Sequence, residues 1–112
     1  MSRALADQHC KPCEGGVEPL PADQAELFLT ELDGGWLLTG DGRSIRRRFR
    51  FPTYSRTLGF ANAVAWIAIS EGHHPEIVIT YDNCDVRWTT YSIGGLSEND
   101  FRCAAKTDRL LK

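Results

Sequence analysis

The chain has 112 residues and a formal net charge of −2 at pH 7, with 42% hydrophobic and 25% charged residues. This length allows one domain with a modest core, and the composition is that of a globular protein rather than a disordered one. The slight acidic excess argues against nucleic acid as the main partner, because phosphate binding needs a clear surplus of lysine and arginine.

The sequence also lacks the usual signals for a membrane or for secretion. Its longest apolar run, residues 61–69, is too short to cross a bilayer, and the first residues lack the apolar centre of a secretion signal. Of the four cysteines only Cys10 and Cys13 are close together, which is not the pattern of a disulfide framework. We therefore expect a cytoplasmic protein in a reducing compartment, with no membrane partner.

Residues 1–20 are predicted to form a flexible N-terminal tail. They are rich in proline and glycine and sustain no hydrophobic period. From residue 21 onward apolar residues recur at helical spacing as far as Gly34-Gly35, where glycine can adopt positive φ and end a helix. The folded domain is therefore expected at residues 21–112.

A strand hairpin with one arginine-rich face follows the first helix. The short apolar run at residues 36–38 ends in a glycine-rich turn. In the next segment Ile45, Arg47 and Phe49 point to one side of a strand. The other side carries the arginines that we expect to face solvent or a second subunit: Arg46, Arg48 and Arg50.

A longer helix is predicted at residues 54–70. Its buried stripe recurs at three- and four-residue spacing and comprises Phe60, Ala63, Val64, Ile67 and Ala68. We also expect Trp66 of this helix to lie in the core rather than at a ligand.

A second hairpin is predicted at residues 77–91, with Trp88 on its buried face. Beyond Gly94-Gly95, Ser97 and Asp100 have the spacing of a capping box that starts a last helix. The order is helix, two strands, helix, two strands, helix. It predicts an α+β fold, a four-stranded antiparallel sheet with three helices packed on one face.

The residues best suited to chemistry are His73-His74-Pro75, between the second helix and the third strand. Imidazole moves protons near neutral pH, and Pro75 biases His74 toward an extended backbone, which splays the two rings. Two adjacent histidines by themselves specify no activity, so an incidental polar loop is the alternative.

Motifs along residues 20–112 resemble the pterin-4a-carbinolamine dehydratase family. The resemblance is carried by residues 60–68, Gly72-His73-His74-Pro75-Glu76, Trp88-Thr89-Thr90 and Gly94-Gly95-Leu96-Ser97-Glu98-Asn99-Asp100. With this resemblance we favour a catalytic role for the histidines over a polar loop.

The resemblance implies a hydro-lyase, a 4a-hydroxytetrahydrobiopterin dehydratase. Members of the family take the 4a-hydroxytetrahydropterin left by aromatic amino acid hydroxylases, including phenylalanine hydroxylase, and remove water to give quinonoid dihydropterin. They use no metal or organic cofactor. The resemblance also implies a homodimer or homotetramer, whose edge strands can pair between subunits, and an aromatic amino acid hydroxylase as a candidate partner.

The resemblance assigns catalysis to His73, His74 and Tyr91, and it lines the pterin pocket further with Gly72, Thr89 and Thr90. The family normally has a third histidine where this chain has Tyr91. A phenol titrates near pH ~10 and is a poorer proton shuttle than imidazole, but it can donate a hydrogen bond or stack on the pterin. We expect Tyr91 to keep the binding role and turnover to be reduced.

Pro75 and Asp100 are expected to support the site. Asp100 matches a position of the family signature, yet a capping box with Ser97 also explains it, and we favour that explanation over direct chemistry. Ile69 stands where the family often has an acidic residue.

Other interpretations of the sequence stay open. His9, Cys10 and Cys13 could supply two or three zinc ligands, but a closed structural site needs four, so we expect no metal site. Fold does not fix function, and the main alternative is a non-catalytic binding module, either a dimerisation cofactor of transcription regulators or an assembly factor. A pterin-binding accessory protein in molybdopterin metabolism is a weaker alternative.

Overall fold

Helices and strands follow one another in the order predicted for an α+β fold. The structure, a computed structural model, describes residues 4–12 and 17–112. The helices are α1 (Ala22–Leu29), α2 (Tyr54–Glu71) and α3 (Glu98–Arg109), and the strands are β1 (Leu37–Leu38), β2 (Ile45–Arg50), β3 (Glu76–Ile79) and β4 (Asn83–Trp88). Within these described residues, no helix combines the length and the apolar character needed to span a membrane.

The four strands form one antiparallel sheet in the order β1-β2-β4-β3. Each hairpin pairs consecutive strands, and the two hairpins join where β2 runs beside β4, from Ile45 opposite Trp88 to Arg50 opposite Asn83. The predicted packing of three helices on one face is confirmed. Ile45 and Trp88 are fully buried in the core beneath those helices.

Helix α2 carries the chain to the histidine pair. The Thr53 side chain accepts a hydrogen bond from the Arg56 amide at 3.2 Å and caps its start, and Gly72 ends it at φ +66°. The predicted burial of Trp66 is wrong, since this side chain is 67% exposed. It lies two residues beyond Val64 of the buried stripe, which in an α-helix is a rotation of about 200°.

The second hairpin ends earlier than predicted. Strand β4 stops at Trp88, and Tyr91 begins a short 3-10 turn. Thr90 forms a β-bridge with Gly95. A Cβ atom at position 95 would lie only 2.7 Å from Cβ of Pro19, so this position requires glycine. This irregular turn, rather than a strand, sets the position of Tyr91.

The alternation predicted for β2 is confirmed, and it turns one arginine inward. Arg47 lies over the ring of Phe49 and donates a 2.7 Å hydrogen bond to Asp108, which also accepts from the Trp36 indole. Burial raises the pKa of Asp108, although these donors oppose the rise. The exposed side of the strand carries Arg46, Arg48 and Arg50.

Residues 4–12 belong to the predicted flexible tail, but they pack on the domain. Leu5 is buried, the Lys106 ammonium donates to the carbonyl of Ala6 at 2.9 Å, and Arg109 pairs with Asp7 at 2.7 Å. The division of the chain at residue 20 stays a prediction. Residues 5–7 pack against α3, and residues 10–12 lie at the same cavity as His73 and His74.

Candidate active site

A cavity of about 480 Å³ opens beside the end of α2, the turn after β4 and the start of α3. Small-molecule sites typically measure about 300–1,000 Å³, so a bicyclic ligand fits this volume. Six of the residues singled out in the sequence line it: Gly72, His73, His74, Thr89, Thr90 and Tyr91. Pro75 is not part of the lining. Asp100 is fully buried and contacts two residues of the lining, His73 and Thr90.

The His73 ring is held in place on two sides. Its Nε2 lies 2.5 Å from Oδ1 of Asp100, and the ring stacks on Trp88 with centroids 5.7 Å apart and an interplanar angle of 3°. The side chain is only 11% exposed. The left-handed backbone of Gly72 ends α2 one residue earlier and turns the chain toward this position.

Asp100 uses its two carboxylate oxygens for different purposes. Oδ2 accepts hydrogen bonds from the Thr90 hydroxyl at 2.8 Å and from the Ser97 amide at 3.0 Å, which closes the start of α3. Oδ1 faces His73. The sequence presented capping and site chemistry as alternatives for this residue, whereas its geometry combines a cap with a hydrogen bond to an imidazole.

The carboxylate also decides which His73 nitrogen is free. An ionised Asp100 can only accept hydrogen bonds, so Nε2 of His73 carries the hydrogen that points at it. The other nitrogen, Nδ1, then keeps the lone pair. The His73–Asp100 pair therefore presents one ring nitrogen that can take up a proton.

The remaining predicted residues divide into a buried part and an open part. Thr89 donates its hydroxyl hydrogen to the Arg43 carbonyl at 2.5 Å, and Thr90 donates to Asp100, so both hydroxyls are bound within the protein. His74 and Tyr91 are exposed, Tyr91 to 67%. The cavity thus has side chains that are hydrogen-bonded within the protein on one side and two exposed side chains, His74 and Tyr91, on the other.

Half of the cavity lining was missed by sequence reasoning. These residues are Cys10, Lys11, Pro12, Glu71, Ser92 and Asn99. Glu71 directly precedes Gly72, so extending that motif by one residue would have found it, whereas Asn99 stands inside the quoted motif but was given no role. No pattern placed residues 10–12 at this cavity, because they were assigned to a flexible tail and Cys10 was considered only as a zinc ligand.

The zinc interpretation depends on Cys13 and is therefore not tested by the described residues. Among residues 4–12 and 17–112, no three histidine, cysteine or acidic side chains gather as a metal site. Cys13 lies outside the described residues. Cys10 is directed instead at α3, where its Sγ lies 3.4 Å from Sγ of Cys103.

Comparison with known proteins decides the family. The family model for pterin 4 alpha carbinolamine dehydratase matches residues 18–110. The chain belongs to this family.

Two relatives of the pterin-4a-carbinolamine dehydratase family match almost the whole chain. A protein of Nitrosomonas eutropha, provisionally named a pterin-4-alpha-carbinolamine dehydratase, is 55% identical over 107 residues, covering 96% of this chain and 93% of the relative. A protein of Nitrosomonas europaea with the same provisional name is 51% identical over 108 residues, covering 96% and 94%.

Solved structures of the family include proteins with more than one described role. A transcriptional coactivator/pterin dehydratase from Brucella melitensis superposes with a TM-score of 0.79 at 30% identity, covering 85% of this chain and 100% of that one. A pterin dehydratase-like protein identified as a RuBisCO assembly factor in the alpha-carboxysome gives a TM-score of 0.59 at 26% identity, covering 68% and 88%.

Proposed function

We propose that this chain dehydrates 4a-hydroxytetrahydropterin to quinonoid dihydropterin, as a hydro-lyase that recycles the pterin of aromatic amino acid hydroxylases. The observation that carries the proposal is the histidine pair in one cavity, with His73 held by the buried Asp100 and His74 exposed. The reaction needs one proton delivered and another removed. Two imidazoles in different surroundings are suited to that division.

His73 is proposed as the base. The hydrogen bond from Nε2 to Asp100 leaves Nδ1 free to take the proton from a pterin ring nitrogen. The electron pair released by that nitrogen forms a C=N double bond at C4a. Asp100 then faces a protonated imidazole, and an ionised carboxylate favours that charge.

His74 is proposed as the acid. In its protonated form it gives a proton to the 4a-hydroxyl, the C4a–O bond breaks, and water leaves. After one turnover His73 holds the proton that His74 has lost, so proton exchange with solvent restores the starting state. The exposure of His74 makes this exchange direct.

Tyr91 is proposed to bind the substrate rather than to shuttle protons. Its phenol can donate a hydrogen bond to the departing hydroxyl, or its ring can stack on the pterin. We propose Gly72, Thr89 and Thr90 as further residues of the pterin pocket, since all three line the same cavity.

The test is a stopped-flow dehydration assay with freshly generated 4a-hydroxytetrahydropterin. The wild-type chain is expected to accelerate the reaction over buffer, and His74→Ala is expected to lose that acceleration. A folded wild type that does not accelerate dehydration would refute the proposal.

A non-catalytic assembly or coactivator role is the second candidate. It is favoured by Tyr91 and Ile69, which stand where the resemblance leads us to expect a histidine and an acidic residue, and by the described roles of the solved relatives. In that case the wild type would be inactive, and Tyr91→His would not activate it.

We also propose that the protein forms a homodimer or homotetramer in the cytoplasm. Val78 and Ile79 of the edge strand β3 are exposed, as are Trp66 and Ile69 of α2. Apolar surface of this kind favours self-association. Light scattering coupled to size exclusion would give the subunit number, and a monomer at micromolar concentration would contradict the proposal.

A further inference from the structure

Cys10, Lys11 and Pro12 form one side of the cavity, and residues 8–12, which include them, are here called the wall segment. We propose that the wall segment is part of the pterin-binding site and that Asn99 is the residue that positions it. The inference rests on the proposed function and adds a binding element and a positioning residue to it.

The carboxamide of Asn99 holds Lys11 through its backbone. The Lys11 amide donates to Oδ1 at 3.0 Å, and Nδ2 donates to the Lys11 carbonyl at 2.6 Å. Arg102 donates to the same Oδ1 at 2.9 Å, which fixes the orientation of the carboxamide. Asn99 is buried, so a fixed side chain satisfies both backbone polar groups of Lys11.

Glu71 makes the second attachment. Its Oε1 accepts a hydrogen bond from the Cys10 amide at 2.7 Å, and Oε2 lies 2.9 Å from Nδ1 of His9. Burial opposes ionisation of Glu71, but these hydrogen bonds outweigh it and lower its pKa. The carboxylate is therefore charged at neutral pH and holds two consecutive wall residues.

The wall segment and the His73–Asp100 pair are held by the same two parts of the fold, the end of α2 and the first turn of α3. Glu71 lies two residues before His73 at the end of α2, and Asn99 directly precedes Asp100 in the first turn of α3. These two places fix the wall segment on one side and the His73–Asp100 pair on the other. The distance between wall and imidazole is therefore set by the fold, as binding of a rigid bicyclic ring requires.

The first test uses the wild-type protein. Iodoacetamide modification of Cys10 is followed by mass spectrometry with and without saturating 7,8-dihydrobiopterin. Because thiol reactivity depends on access, we expect bound pterin to slow Cys10 modification at least about threefold. Cys84 is an internal control, since burial raises its pKa to about 11. An unchanged Cys10 rate at saturating pterin would overturn the inference.

The second test compares Asn99→Ala with Arg109→Ala in the dehydration assay. Arg109 holds Asp7, in the part of the N-terminal segment away from the cavity. Loss of the Asn99 hydrogen bonds is expected to raise KM about tenfold while kcat changes little. Arg109→Ala is expected to change neither. A wild-type KM in Asn99→Ala, or an equal rise in Arg109→Ala, would contradict the inference.

A third test separates positioning from direct contact. Diamide takes two hydrogens from two thiols and becomes a hydrazine while the thiols form a disulfide, and Cys10 and Cys103 are close enough to be joined in this way. In oxidised Asn99→Ala the disulfide should hold the wall and return KM toward the wild-type value, whereas Asn99→Ala with Cys103→Ser should show no recovery. A KM that stays high despite the disulfide would mean that Asn99 itself contacts the pterin.

Two outcomes keep the inference separate from the proposed function. A wild type without dehydratase activity defeats the function, and the wall's role in pterin binding falls with it. An active wild type whose Cys10 is not protected and whose Asn99 variant has normal KM defeats the wall alone. If Asn99→Ala does not fold, Asn99→Asp keeps the acceptor for the Lys11 amide and replaces the donor that faces the Lys11 carbonyl.

Discussion

The two sides of the cavity are built in opposite ways. His73 is 11% exposed, bonded to Asp100 and stacked on Trp88, whereas Tyr91 is 67% exposed in a short turn. On the His73 side, the lining residues His73 and Thr90 are hydrogen-bonded to the buried Asp100, which also caps the start of α3. A substitution there changes folding as well as chemistry.

The exposed side of the cavity, formed by His74 and Tyr91, tolerates substitution more easily. A change at His74 or Tyr91 alters what a ligand meets without disturbing the buried network. This gives a physical reason why a tyrosine can stand where the resemblance leads us to expect a histidine. The comparison predicts that the two sides respond differently to mutation, in activity and in stability.

The largest expected effect on rate is at His74. Since general acid–base catalysis contributes about 10²–10⁴-fold, His74→Ala should reduce kcat by at least about 100-fold. Its thermal unfolding midpoint should match that of the wild type, because the side chain is exposed. A large drop in the unfolding midpoint would show that His74 is a structural residue and would contradict the predicted difference between the two sides of the cavity.

Asp100→Asn should reduce both activity and stability. With its oxygen kept toward Thr90 and Ser97, the new amide donates from Nδ2 to Nε2 of His73, which moves the ring hydrogen to Nδ1 and removes the proposed base. In the reverse orientation Nδ2 faces the Ser97 amide, and an unsatisfied buried donor costs about 1–3 kcal/mol. In both orientations the hydrogen bonds lose the support of the carboxylate charge. Urea unfolding measures the loss of stability. Asp85→Asn is the matched control, since Asp85 pairs with Arg48 at the sheet surface and should lose less than about 1 kcal/mol.

Tyr91 substitutions should have a smaller effect, on activity alone. Tyr91→Phe removes one hydrogen-bond donor and should lower kcat/KM by about three- to tenfold. Tyr91→His introduces the residue that the resemblance leads us to expect, and its activity should equal or exceed that of the wild type. Tyr81→His, at another exposed tyrosine outside the cavity, should leave the kinetics unchanged. A large loss of activity in Tyr91→His would refute the binding role assigned to Tyr91.

The smallest effect is a pH dependence of stability at Glu71. Its pKa is lowered in the folded state, so the unfolded chain binds the proton more readily. The stabilisation is therefore complete above the unfolded value, near 4.5, and is lost as pH falls through the lower folded value. Urea unfolding of Glu71→Gln between pH 6 and ~3 should show a weaker decline than the wild type. Equal slopes would mean that the Cys10 and His9 contacts do not form.

Local patterns predicted the elements of this fold well because each element depends on its own residues. The stripe from Phe60 to Ala68 and the glycine after Glu71 predicted α2 almost to its ends. The prediction for Trp66 was wrong, because its position on the helix turns the side chain away from the buried stripe. The last strand was predicted to continue to Tyr91, because the alternation of apolar and polar residues continues in the sequence. Strand pairing, however, stops at Trp88.

The sequence by itself determined the order of elements, the alternation of β2 and the family motif with its histidine pair. Each of these depends on spacing along the chain. Only the tertiary structure decided that β2 lies beside β4, that Asp100 holds His73, and that Asn99 and Glu71 hold the wall segment. These contacts join residues far apart in the chain, so their partners are chosen by packing and by the need to satisfy buried polar groups.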